Sequence, residues 1–468
     1  RPAGRPAGGV HPACAGTGCG ARPAPNWERP GVVGRQTVVM EPRHRPTIRL
    51  IEEDEFPAWV ASVSIPFLEP VHDPAERADR VGRFDPFIDR ERAWVVEDDG
   101  RFVGNAAVFD KSVTLPGPPG GPCPLVPFAA ISEVGVHATH RRRGLLRRLM
   151  GTMLDDARAR GDVLAGLTAS DGGIYGRYGF GWAVNMADYA VWTRDSAFAV
   201  PAPDVELRMV GGPEVSGLVS AAFDRAIRGV PGQVDRSAFS WTEMLADRAA
   251  DRGGASALSW VVCDGGVASW RNRLMGEGAD RWGRTIVEDL VAETPEIEAA
   301  LWRFLLDLDL PRELVAYCRP VDEPIRHRLA DPRQLRTTRI RDFLWLRVLD
   351  TPGALTARGY LRAGRLVLDV AAAPSSPTGP DGLDGPDPAV GRWVLEAGPD
   401  GASCVAAPTG VATDLRLGLA DLGAILAGGV RATTLGAAGR VREERPGALV
   451  EADAFFAAER DPFCLTGF

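Results

Sequence analysis

Val134-Gly135-Val136-His137-Ala138-Thr139-His140-Arg141-Arg142-Arg143-Gly144-Leu145-Leu146 runs from a short apolar strand through a basic, glycine-containing turn into a helix. Leu145, Leu146, Leu149, Met150, Met153, Leu154 and Ala157 recur at helical spacing through Arg158. Three arginines and a glycine therefore crown the N-terminus of an amphipathic helix. Backbone N–H groups and the positive end of the helix dipole point outward there, and Gly144 lets the backbone approach a ligand closely. Arginine adds charge-assisted hydrogen bonds to phosphate oxygens. A solvated arginine run beside a turn glycine is the bland alternative. The Val-x-Val strand before the turn and the helix after it favour a pyrophosphate.

Working outward, Gly161 precedes a strand expected over Val163 to Thr168. Ala169-Ser170-Asp171-Gly172-Gly173-Ile174-Tyr175-Gly176-Arg177-Tyr178-Gly179-Phe180 follows it. Tyr175 is one of five tyrosines in the chain. Taken alone it reads as a packing ring or as an acid, and Tyr178 reads as a core ring.

The run Arg141, Gly144, Leu146 resembles the Arg/Gln-x-x-Gly-x-Gly/Ala signature of the GNAT superfamily, with Leu146 where a small residue is usual. His140 to Leu146, together with Ala169 to Gly179, is similar to the enhanced intracellular survival (Eis) family of N-acetyltransferases. The resemblance implies that Val134, Gly135 and Val136 bind the pantetheine arm of acetyl-CoA through backbone. It implies that Arg142, Arg143, Gly144, Leu145, Leu146 and Arg147 hold the pyrophosphate, with Ser170 and Asp171 as further cofactor contacts. Tyr175 is then the general acid, and the carboxylate of Phe468 the base.

The chemistry agrees with those roles. A phenol of pKa about 10 protonates a thiolate of pKa about 8.5 only when it is well positioned. An alkylammonium of pKa about 10.4 leaves roughly one molecule in a thousand neutral at pH 7, so a base is needed. The apolar run Pro462 to Phe468 suits burial of such a base. Glu133, directly before the cofactor strand, competes with Phe468 for that role.

A net charge of −8 excludes a general nucleic-acid binder. Lys111 is the only lysine, which rules out a catalytic lysine elsewhere. Cys14, Cys19, Cys123, Cys263, Cys318, Cys404 and Cys464 are scattered without CxxC spacing, so a reduced chain with no metal is expected. His137 and His140 have no acidic or thiol partner between or just after them. No run approaches the roughly 20 apolar residues of a membrane span, and no secretory pattern opens the chain, so a cytoplasmic location is expected.

The fold class expected is α+β: two tandem GNAT folds of mixed, largely antiparallel sheets, then a sterol-carrier-protein-like domain. Residues 1–45 read as a disordered arm, with Met40 a native start, 46–200 as the catalytic domain, 201–342 as a degenerate repeat and 343–468 as the last domain. A hairpin is expected around Asp99-Gly100, and Pro374 to Pro388 reads as a loop. Thr294-Pro295-Glu296-Ile297-Glu298 starts a helix well in the repeat, but without a glycine and with Glu296 and Glu298 where phosphates would lie. One active site per chain follows. The stretch Asp414 to Gly429 looks like the sterol-carrier fold that closes Eis-like proteins, and Asp461 to Phe468 is expected to tuck against another domain.

The resemblance also implies a hexamer and an aminoglycoside acceptor bound in a wide, acidic pocket. Here Gly467 and the apolar Ile65-Pro66-Phe67 replace acidic contacts, and Glu69 is the nearest carboxylate. A lysine side chain or another polyamine is therefore as good an acceptor. The rival class is a non-catalytic lipid- or small-molecule-binding protein that uses the C-terminal domain.

Overall fold

Ala93–Asp98 and Arg101–Thr114 pair antiparallel about Asp99-Gly100, both at positive φ (50° and 72°). That is the backbone a tight hairpin turn demands. The hairpin belongs to a computed structural model that describes residues 45–66, 73–211, 214–373 and 387–468. The arm with Cys14, Cys19 and Met40, the residues Phe67 to Glu69, and most of the loop read at Pro374 to Pro388 lie outside the described residues.

Among the described residues the architecture is α+β, with two seven-stranded sheets and one of five strands. The first sheet runs Thr47–Leu50, Ala93–Asp98, Arg101–Thr114, Leu125–Val136, Leu164–Thr168, Leu344–Val348, Gly181–Trp182. Only Leu125–Val136 and Leu164–Thr168 are parallel in it. The second sheet runs Arg336–Asp342, Asn185–Trp192, Pro311–Arg319, Trp282–Ala292, Gly266–Met275, Ser259–Cys263, Arg208–Val210, again with one parallel pair, Trp282–Ala292 beside Pro311–Arg319.

The sheets do not follow boundaries drawn at 200 and 342. Asn185–Trp192 precedes residue 200 yet pairs in the second sheet, and Leu344–Val348 follows residue 342 yet pairs in the first. The two crossovers lie side by side: Phe343 N–H donates to Val184 O at 2.9 Å, and Ala183 and Val184 N–H donate to Leu344 O at 3.1 Å. Both strands are apolar along most of their length, so either sheet would bury them, and pairing across about 160 residues leaves no local mark.

One face of the first sheet is covered by the helix Leu145–Ala159, whose Leu149, Met150, Met153 and Leu154 pack on Trp94, Val108, Ile131 and Leu167. The opposite face meets the C-terminal domain. Every residue of the helix Leu419–Leu426 is buried, because it is pressed between its own sheet and the first one. Glycines permit that contact: a Cβ at Gly181 would run into the Ala420 carbonyl, and one at Gly423 into the Leu346 carbonyl. A buried cluster reinforces the joint, with Asp387 accepting from Arg347 at 2.5 Å and pairing with Arg158 at 3.1 Å. Removing one partner of such a buried pair costs about 3–5 kcal/mol.

Gly181→Ala is expected to destabilise the folded chain by about 1–3 kcal/mol or more through overpacking. Chemical denaturation should show a lowered midpoint, whereas Gly211→Ala, with open space around it, should leave the midpoint in place.

Candidate active site

Leu125–Val136 and Leu164–Thr168 share only the pairs Ala129 with Ala165 and Ala130 with Gly166. Beyond them the strands part. On its other edge Leu125–Val136 stays bonded to Arg101–Thr114, but with a fault: Ala107 faces Ser132 and Asn105 faces Gly135. Two residues, Glu133 and Val134, therefore oppose the single Ala106, which is a β-bulge. Glu133 sits at φ 54°, and Asn105 Nδ2 donates to its carbonyl. The bulge turns the strand end away from its parallel neighbour and leaves backbone of Val134 to Val136 facing a gap.

A groove of about 640 Å³ fills that gap. It is lined by Val134, Gly135, Val136, Arg141, Arg142, Gly144, Leu145, Leu146, Arg147, Ser170, Asp171 and Tyr175, among others. Gly135 is closed in by Pro66, which a Cβ would strike. Gly144 takes φ 76° as the helix N-cap, with nothing within 4 Å of an added Cβ, so the backbone at the helix start lies open. The first helical N–H groups have no partner in the helix and remain available to a ligand. Of the residues expected there, Arg143 alone does not line the groove. It pairs with Asp98 at 3.7 Å and donates to Thr139 O at 3.2 Å, and Arg141 lines the groove instead. His140 engages Thr139 at 2.8 Å and Asp98 at 2.9 Å, so both ring nitrogens are occupied.

A second chamber of about 650 Å³ adjoins the groove and shares Val134, Ser170 and Tyr175 with it. Glu133, Phe468, Arg80, Arg83, Arg341 and Asp342 stand in its walls. Tyr175 opens the short turn Tyr175–Tyr178 and is 7% exposed. Asp171 Oδ1 accepts from Gly173 N–H at 2.8 Å and shapes the approach to that turn. Burial pushes the Tyr175 phenol above its ordinary range, and a hydrogen bond with Ser170 holds it back in part. Tyr178 is a buried core ring, as its sequence reading has it, but it also lines the groove.

Phe468 reaches the chamber because the tail is anchored along its length. Phe463 N–H donates to Pro231 O at 3.1 Å, Leu465 N–H to Gln233 Oε1 at 3.3 Å, and the Phe468 ring meets Phe128 edge-on at 5.8 Å. The segment that holds the tail is itself fastened to the first sheet, with Thr114 N–H donating to Gln233 O at 2.8 Å. Lys111 is buried nearby, donates to Asp235 O at 3.3 Å, and has its pKa lowered by that burial.

Arg80, Arg83, Arg341, Asp342 and Phe343 escaped sequence reasoning. Arg80 and Arg83 lie on the amphipathic helix Pro74–Phe84, where charges read as solvated. Arg341 belongs to the second sheet, and no local signal links it to the first.

In the second sheet the corresponding position is filled by protein. Arg319 is 1% exposed and donates to Leu290 O at 2.5 Å, Glu323 at 2.7 Å and Glu298 at 2.9 Å. Phe463 of the tail lies over the same guanidinium at 5.6 Å. Glu298, in the first turn of the helix Pro295–Leu306, is thus part of a buried ion network. A small cleft of about 220 Å³ lies in the C-terminal domain, with Arg362, Arg365 and Glu451 on its walls. Among the described residues no helix is long and apolar enough to cross a membrane.

Models of an acetyltransferase (GNAT) domain match residues 47–183 and 232–348, and a sterol carrier protein domain model matches 351–465. An uncharacterised N-acetyltransferase of Streptomyces coelicolor is 37% identical over 92% of this chain and 100% of its own length. N-acetyltransferase Eis of Mycobacterium tuberculosis is 34% identical over 76% of this chain and 83% of its own length. The crystal structure of Eis1 from Mycobacterium abscessus superimposes with a TM-score of 0.76 at 29% identity, covering 90% of this chain and 100% of that one.

Burial, with Glu298 close by, raises Glu323 to about 7. A carboxyl whose folded pKa lies above its unfolded value of about 4.3 adds stability below that value, which is lost as pH rises toward 7. Glu323→Gln is expected to flatten the stability profile across that window, as read by denaturant midpoints at several pH values.

Proposed function

The chain belongs to the Eis-like family of GNAT N-acetyltransferases, and from that premise we propose that it transfers acetyl from acetyl-CoA to a primary amine at the junction of the two chambers. The observation that carries this reading is Tyr175, the buried phenol common to the cofactor groove and the acceptor chamber. In the groove, Val134 to Val136 would take the pantetheine arm, and Arg141, Arg142, Arg147 and the helix N-terminus the pyrophosphate. Ser170 and Asp171 line the turn between them.

The acyl donor supplies an activated thioester. The residues of the chain supply proton transfer and position. A carboxylate at Phe468, the base that the family resemblance implies, would accept a proton from the ammonium, with Glu133 as the rival group in the same wall. The new N–C bond forms as the C–S bond breaks, and the Tyr175 hydroxyl donates its proton to the departing sulfur. A phenol kept above its usual pKa holds that proton throughout the neutral range. The chamber excludes bulk water on one side through Phe84, Ile131, Phe343 and the Phe468 ring.

The family resemblance suggests an aminoglycoside acceptor, and the departures at Gly467 and Ile65-Pro66-Phe67 make a lysine side chain or another polyamine nearly as good. The lipid-carrier alternative is not favoured, because the helix Leu419–Leu426 spends its surface on packing between two sheets. A hexamer, by resemblance, and a cytoplasmic location, from the sequence pattern, remain part of the proposal. Size-exclusion with light scattering tests the former.

Tyr175→Phe should lower kcat about a hundredfold or more while leaving acetyl-CoA affinity nearly intact, measured by thiol release and calorimetry. In the unaltered enzyme, burial raises the Tyr175 pKa, so loss of its proton should not depress kcat below about pH 10. A descending limb centred near pH 8 would remove Tyr175 as the acid. Appending two glycines after Phe468 should cut kcat at least about tenfold without weakening acetyl-CoA binding, since Phe468 does not line the groove. Activity untouched by that extension, and abolished by Glu133→Gln, would transfer the role of base to Glu133.

A further inference from the structure

The acceptor chamber is not a uniformly acidic cavity. Among the described residues its walls hold Arg80, Arg83 and Arg341 together with Glu133 and Asp342, and Phe468 stands beside them. Arg83 is compensated by Asp79 and Glu243, each at 3.2 Å. Asp342 is engaged by the Trp345 indole N–H at 2.7 Å.

Arg341 is placed differently. It is half-buried near the end of the edge strand Arg336–Asp342, next to the crossover from the second sheet to the first. Its one side-chain hydrogen bond among the described residues goes to the Cys318 sulfur at 3.5 Å, and its Nε is buried without a partner. Burial raises the Cys318 thiol, so that sulfur stays neutral, and Asp188, the carboxylate nearest it, accepts from the Cys318 N–H at 3.1 Å. No described carboxylate pairs with Arg341. A permanently charged, partly desolvated guanidinium on a residue that lines an open chamber, with donors left over after the Cys318 contact, can receive an anion.

We propose that the acceptor is a primary amine bearing an oxyanion, and that Arg341 binds the oxyanion while the amine lies toward Tyr175 and the carboxylates of Glu133 and Phe468. The inference rests on the transferase reading above and names its substrate class. A carboxylate matches the guanidinium fork with two parallel hydrogen bonds, and a phosphate monoester offers the same oxygens. The sheet that has lost its own cofactor position thus supplies the specificity-determining residue of the other sheet's site.

The test measures thiol release from acetyl-CoA by the full chain with four acceptors: aminopentanoate, its neutral amide, cadaverine and phosphoethanolamine. The first should exceed its amide roughly tenfold in kcat/KM, chiefly through KM, the scale of one charge-assisted pair. Arg341→Gln should bring that ratio close to one, and Arg341→Lys should keep part of it. Phosphoethanolamine outrunning aminopentanoate would support the proposal and identify phosphate as the oxyanion's source. Equal rates for aminopentanoate and amide, a preference for cadaverine, or a ratio unmoved by Arg341→Gln would each overturn it. Thiol release with none of the four, nor with an aminoglycoside, would instead defeat the transferase reading and this inference with it.

Discussion

Leu125–Val136 and Leu164–Thr168 run parallel and pair only where Ala129 and Ala130 face Ala165 and Gly166. Their early divergence leaves unpaired backbone inside a sheet, which in water-poor surroundings demands a hydrogen-bonding partner. The bulge at Glu133 and Val134 opens that gap, Gly135 admits Pro66 at its side, and the helix Leu145–Ala159 begins at the open end. Groove, helix dipole and arginine turn all follow from two strands that cannot stay together. Had the pairing continued to Thr168, no linear ligand could enter.

Two sheets and the C-terminal tail meet at the space so created. The first sheet holds the arginine-lined groove and Tyr175. The second places Arg341 in the chamber wall, while its own counterpart of the gap is plugged by Arg319, Glu298, Glu323 and the Phe463 ring. The C-terminal domain packs through glycine contacts onto the back of the first sheet and sends its tail between the other two. Phe468 is held against Phe128 because the segment before it is fastened. The bonds to Pro231 and Gln233 provide that fastening.

The two chambers also differ in charge. The groove faces Arg141, Arg142 and Arg147 together with a helix N-terminus, an arrangement suited to phosphates. The second chamber mixes Arg80, Arg83 and Arg341 with Glu133 and Asp342, so its charge depends on which of these groups are already paired within the protein. Tyr175, buried where the two meet, keeps its proton because desolvation disfavours the phenolate.

Much was legible along the chain because it depends on near neighbours. The arginine turn and its helix, the Asp99-Gly100 hairpin, the Tyr175 segment and the acidic start of the helix Pro295–Leu306 are set by residues a few positions apart. Helical period, turn chemistry and charge at a helix end are written at that range. Which sheet Asn185–Trp192 and Leu344–Val348 join, the turning of Arg143 toward Asp98, and the arrival of Arg341 and Phe468 in one chamber were decided only in three dimensions. Strand pairing and pocket lining couple residues more than a hundred positions apart, and an apolar strand buries equally well in either sheet until its neighbours have chosen.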